Sequence, residues 1–112
     1  MTEISDDDMR AGLAQTREYA LVLLHTGEQY GKDGSDKIVW EHGRRNFSLR
    51  ADGLLSVVCP VLDDSGLCGM GVFNASVDET TKIMDDDPGV QAGVFTYEVH
   101  PVRSFPGDTL PA

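Results

Sequence analysis

Few side chains in this sequence are equipped for chemistry. Three histidines (His25, His42 and His100), an acidic run at Asp85-Asp86-Asp87 and an arginine pair, Arg44-Arg45, carry most of it. An imidazole with a carboxylate partner is a workable general base. The carboxylate fixes the tautomer and favours the imidazolium formed when a proton is taken. An imidazole also titrates close to neutral pH. A guanidinium pairs bidentately with a carboxylate, so Arg44 and Arg45 are candidate binders of an acidic substrate group. Each residue also has an ordinary structural use. A histidine on the flank of an apolar helix face is commonly packed and hydrogen-bonded. An acidic run is commonly a solvated loop, with Asp87 bonding local backbone amides. Where the fold places these residues decides between the two.

Other chemistries find less support. His25, His42 and Asp87 have the composition of a two-His, one-carboxylate metal site. Their spacing is nonlocal and no cysteine pair accompanies them, so no metal is expected. Nothing marks Cys59 or Cys68 as a nucleophile, and a buried free thiol is their ordinary state. Gly69-Met70-Gly71 sits within a strand pattern and is not a phosphate cradle. No cofactor is expected.

Length and charge narrow the partners. A chain of 112 residues is one domain, with no room for separate cofactor and substrate domains. At 40% hydrophobic and 25% charged residues it has an ordinary globular composition. Nine Lys+Arg stand against 19 Asp+Glu, a formal net charge of -10. Such a chain is repelled by phosphate backbones and anionic lipid, so neither nucleic acid nor a membrane is an expected partner. No apolar run approaches the ~20 residues of a membrane span. The acidic stretch Met1 to Asp8 lacks an apolar signal core. With no dense disulfide spacing, the expected location is the cytoplasm.

The elements that must position these side chains follow from local pattern. Ser5 before Asp6, Asp7 and Asp8 starts a thin amphipathic helix over 5–16. Tyr19 to Leu24 is a short apolar run, expected as a strand closed by His25. Residues 26–35 form a glycine-rich loop. The next helix starts at Ser35 or Asp36 and ends at Asp52-Gly53. Its expected inner face is Ile38, Val39, His42, Phe47 and Leu49. Gly43 costs it about 1 kcal/mol relative to Ala, which implies close packing there. Residues 54–62 and 67–75 form a hairpin, with Pro60 placing the first strand at an edge. Ser76-Val77-Asp78-Glu79 is a capping box that opens a helix over 77–86, and Pro88 ends it. Residues 94–102 are the last strand, followed by an extended tail.

Strand, helix, strand, strand, helix, strand is the ferredoxin-like βαββαβ plan, an α+β antiparallel sheet of order 4-1-3-2 with two helices on one face. In that plan His25, His42 and Asp87 converge on one rim, and His100 falls at the opposite end. The second sheet face has no helix. Strand 1 carries Tyr19, Leu21 and Leu23 on one side and Ala20, Val22 and Leu24 on the other. Strand 2 carries Leu55, Val57 and Cys59 against Leu54 and Val58. A homodimer through the helix-free face is the simplest cover.

These residues are similar to a known family. Ile38 to Arg103 resembles the YCII-related (YciI-like) family. The likeness lies in His42 within WEHGRRNF, the strand end VVCP (57–60), the segment DDDPGVQAGVF (85–95) and the closing strand VFTYEVHPVR (94–103). The resemblance implies a ferredoxin-like domain over 18–103 that pairs sheet to sheet into a dimeric α+β barrel. Residues 1–17 are then an N-terminal helical extension and 104–112 an extended tail. It also implies that His42 and Asp87 form the active centre, with His42 as base and Asp87 as its orienting partner. His25, Arg44 and Arg45 are the expected substrate-binding residues. The expected function is a small cofactor-independent enzyme of lyase or isomerase type, acting on a small anionic organic molecule. The alternative is a non-catalytic dimeric module that binds a small molecule or a partner protein.

Overall fold

Side-chain alternation along the central strand decides the architecture. The computed structural model describes all 112 residues, and this strand, β1, runs Arg17–Thr26. Ala20, Val22 and Leu24 are buried, while Tyr19, Leu21, Leu23 and His25 between them point to the other face. Before it comes α1 (Asp6–Ala14); after it come α2 (Ser35–Ala51), β2 (Leu55–Pro60) and β3 (Leu67–Phe73). Then follow α3 (Val77–Asp85), a one-turn α4 (Pro88–Gln91) and β4 (Phe95–Ser104). The four strands form one antiparallel sheet in the order β2-β3-β1-β4. The fold is therefore α+β, with a four-stranded antiparallel sheet and four helices. No helix is long and apolar enough to cross a membrane.

The core lies on the Ala20–Val22–Leu24 face. Leu55, Phe73 and Phe95 of the other strands join it there, and Leu49 of α2 and Met84 of α3 close it. The helix starts are locally specified. Ser5 accepts from the Asp8 N–H to open α1. Ser76 and Glu79 form the reciprocal capping box of α3. α1 buries none of its residues, so it leaves the helix-free sheet face uncovered.

Several expectations are corrected. Val39 and Phe47 do not face the core, and Phe47 is 67% exposed with the Arg50 guanidinium over its ring. At about 100° per residue, Phe47 lies ~140° around the helix from His42. The inner stripe is Ser35, Ile38, His42, Arg45 and Leu49, a 3-4-3-4 spacing. A bulge at Ser56 shifts the register between Leu55↔Phe73 and Val57↔Val72. Leu55 and Val58 therefore face the helices, while Val57 and Cys59 share the opposite face. Pro88 does more than stop α3. It occupies the first turn of α4, with Asp87 as N-cap. β4 continues to Ser104, so His100 is mid-strand, opposite Leu21, and not at the far end.

Gly43 is not a close-packing site either. A Cβ built there meets nothing within 4 Å. Gly43→Ala is expected to raise stability by about 1 kcal/mol through helix propensity alone. Urea unfolding of the two proteins measures it. A loss of stability would show that Gly43 is packed after all.

Candidate active site

α4 exists because Asp87 precedes Pro88. An Asp at the N-cap satisfies orphan N–H groups, and proline fits the first helical position. Asp87 Oδ2 accepts from the Gly89 N–H at 2.9 Å and the Val90 N–H at 3.2 Å. Its carboxylate is only 1% exposed. His42, on the inner stripe of α2, places Nδ1 2.9 Å from both carboxylate oxygens. Arg45, nearly one turn further on, donates to the Ile83 carbonyl at 2.6 Å and lies 3.7 Å from Asp87 Oδ1. Phe95 packs on the imidazole with ring centroids 4.8 Å apart. Gly89 makes room for both: a Cβ there would lie 2.5 Å from Phe95 Cδ2 and 3.0 Å from Asp87 Oδ2.

Protonation follows from the partners. Burial, the strongest single influence on Asp87, pushes its carboxyl up. The hydrogen bond and charge of His42, with the N–H groups of Val90 and Gly89, outweigh burial and hold it below the usual carboxylate range. The carboxylate is thus ionised and only accepts. Nδ1 of His42 must carry the proton, which leaves Nε2 of the neutral ring as an acceptor. The Asn46 side-chain amide, one turn along α2, donates to Nε2 at 3.3 Å. This is the tautomer that a general base of this kind requires.

A cavity of about 740 Å³ lies beside His42, between α2 and the β2–β3 side of the sheet. His42 and Asn46 contribute to its wall, with Phe95, Met84, Gly69 and Gly71 among the others. Its size is that of a small-molecule site. The loop 27–34 forms part of its rim. Gly27 N–H bonds the Val94 carbonyl and Gln29 N–H the Gly93 carbonyl. A Cβ on Gly27 would lie 2.3 Å from Gly93 O, so only glycine permits this approach. The pinned loop sets Tyr30 against Phe95, with ring centroids 6.1 Å apart.

His42 and Asp87 are therefore brought together, but the other candidates are not. His25 follows Leu24 and so faces the opposite side of the sheet. There its Nε2 lies 2.8 Å from Glu98 Oε1, while His100 Nε2 lies 2.8 Å from Glu98 Oε2. Arg44 pairs with Glu41 on the outer side of α2. Arg45 is committed to Ile83 and Asp87. None of His25, Arg44 and Arg45 lines the cavity beside His42. Sequence reasoning missed Asn46 and Tyr30. Asn46 was within reach of it, since residues four apart share a helix face.

Tyr97 donates to the Asp85 carboxylate. Burial, then that hydrogen bond and charge, push its phenol up to about 12. Burial also pushes the Cys68 thiol up, and both cysteines are free thiols. No cluster of three or more potential ligands is arranged to hold a metal ion. Compared with protein-family models and with curated proteins, the chain matches none.

The depressed Asp87 carboxyl makes stability depend on pH. Unfolded, Asp87 titrates near 3.8; folded, it titrates lower. Between those values the unfolded chain binds the extra proton, so stability rises with pH. The contribution is complete above the unfolded value and is lost as pH falls through the folded one. Urea unfolding of the protein and of Asp87→Asn from about pH 6 to about pH 2 isolates it. The stability difference is expected to shrink across the acid end. A difference independent of pH would contradict the assignment.

Proposed function

We propose that this protein is a small cofactor-independent enzyme of lyase or isomerase type, with His42 as general base and Asp87 as its orienting carboxylate. The observation that carries the reading is the buried His42–Asp87 pair, whose histidine lines a ligand-sized cavity. In the reaction, substrate displaces the Asn46 amide from Nε2, and Nε2 then takes a proton from a substrate carbon. The C–H electron pair forms a new double bond to the neighbouring carbon as that carbon's carbonyl π pair moves onto oxygen or its bond to a leaving group breaks. Asp87 stabilises the imidazolium, which returns the proton to another substrate atom or to a departing group. The first gives an isomerisation and the second an elimination, and neither needs a redox partner.

The strand order β2-β3-β1-β4 with α2 and α3 on one face supports a ferredoxin-like domain, and the likeness of the sequence motifs alone carries the reading of a YCII-related family. The uncovered face supports the dimeric α+β barrel. It carries Tyr19, Leu21, Leu23, Val57, Met70 and Val72, all only partly buried. A patch of this kind on a soluble chain favours a symmetric partner. The net charge of -10 supports a small-molecule ligand over nucleic acid, and two free thiols suit the cytoplasm.

His42→Asn tests the chemistry. It keeps an N–H near the position of Nδ1 for Asp87 and removes Nε2. His42→Ala is the poorer variant, since it strands a buried carboxylate. A panel of small carbonyl compounds is screened for uptake of solvent deuterium at carbon. Any exchange catalysed by the protein is expected to fall by about 10²–10⁴-fold in His42→Asn, with the unfolding midpoint little changed. Full activity in the variant would refute the assignment. Retained ligand binding with no exchange by either protein would favour the non-catalytic module.

Light scattering tests the assembly. The expected mass is about twice the 12.2 kDa of one chain, and Leu21→Glu, at the centre of the face, is expected to give the single-chain mass. A 12.2 kDa particle from the unmodified protein at micromolar concentration would exclude the dimer.

A further inference from the structure

The charges around the cavity are one-sided. No lysine or arginine is among its lining residues, but Asp36, Asp63 and Asp64 are, all three exposed. The two arginines nearest in sequence to His42 point elsewhere. Arg45 is spent on the Ile83 carbonyl and Asp87, and Arg44 on Glu41. Behind His42 stands a fourth carboxylate, the buried Asp87. More than half of the lining residues are hydrophobic.

We infer that the cavity takes an uncharged, largely apolar small molecule and discriminates against its carboxylate counterpart. This rests on the acid–base reading of His42 and Asp87 and proposes a neutral substrate in place of an anionic one. An anion entering the cavity loses hydration without gaining a cationic partner. It also approaches several carboxylates, in a chain whose overall field is negative. A neutral carbon acid meets neither obstacle. It becomes negative only as its proton moves to Nε2, and at that moment the imidazolium of His42 faces it. Charge attraction then appears in the transition state and not in the ground state, which is where it accelerates a reaction.

The experiment uses two shape-matched pairs on the full chain: benzamide with benzoate, and cyclohexanecarboxamide with cyclohexanecarboxylate. Binding is read from the backbone amide signals of Gly43, Gly69 and Gly71, which line the cavity. The amides are expected to shift these signals saturably, and the carboxylates to bind about tenfold or more weakly. Asp36→Asn with Asp64→Asn is expected to narrow the gap by strengthening the carboxylates alone; an unchanged gap would count against the inference. A carboxylate bound as tightly as its amide, or amides that leave the three signals unmoved, would overturn it. His42→Asn separates this from the catalytic reading. Preference for the amide retained in the variant while proton exchange is lost supports both. Preference absent with His42-dependent exchange intact overturns the substrate class alone. Preference present with exchange independent of His42 overturns the acid–base reading alone.

Discussion

One buried carboxylate holds one half of this structure together. Asp87 is the N-cap of α4, the acceptor for His42 of α2 and the neighbour of Arg45, whose other bond clasps the end of α3. Taking a carboxylate out of water costs several kcal/mol unless its oxygens are matched. Here two backbone N–H groups, an imidazole and a nearby guanidinium match them. Three helices are thus tied to one charge. The same bonds that make the charge tolerable also fix the imidazole's tautomer, so folding itself decides which ring nitrogen carries the proton. Gly89 shows how tight the arrangement is, since a methyl group there would collide with Phe95 and crowd the carboxylate.

The cavity is the complement of that tight half. α3 and α4 pack towards β1 and β4, and Phe95 seals the imidazole's flank. On the β2–β3 side, small residues hold the space open. Gly69 and Gly71 face the helix side of β3, and Gly43 faces no neighbour from α2. A Cβ on Gly71 would lie 3.1 Å from Leu55 and 3.3 Å from Phe73, so even one methyl group there presses on the core. The result is a firmly held imidazole beside an open, largely apolar and acid-rimmed chamber. Rigidity on one side and space on the other suit a group that must hold its geometry while ligands come and go.

Local signals in the sequence were legible wherever one segment decides its own conformation. Ser76 and Glu79 gave away the capping box, Ser5 and its three aspartates the start of α1, and the alternation of Tyr19 to Leu24 the central strand. The pairing of His42 with Asp87 was legible through element order, because both lie at the end of the sheet where α2 begins and α3 stops. Facing was not legible in the same way. His25 is at the right end of β1 but on the wrong side, and only strict alternation from Leu24 reveals it. The bulge at Ser56 turns Val57 and Cys59 away from Leu55, and a bulge depends on the partner strand's register. The phase of α2 was misjudged because Val39 and Phe47 are apolar yet exposed, so hydrophobicity alone misplaced its inner stripe. Asp87-Pro88 was read as a stop, whereas an N-cap followed by a first-turn proline is equally a start.

The proposed chemistry turns on where the His42 proton resides. Long-range nitrogen–proton NMR on the imidazole in mildly alkaline solution reports it directly. The geometry predicts a proton on Nδ1, held by Asp87, and an unprotonated Nε2, with Asp87→Asn disturbing that preference. A ring protonated on Nε2, or one that averages both tautomers in the intact protein, would contradict the His42–Asp87 base on which the proposed chemistry depends.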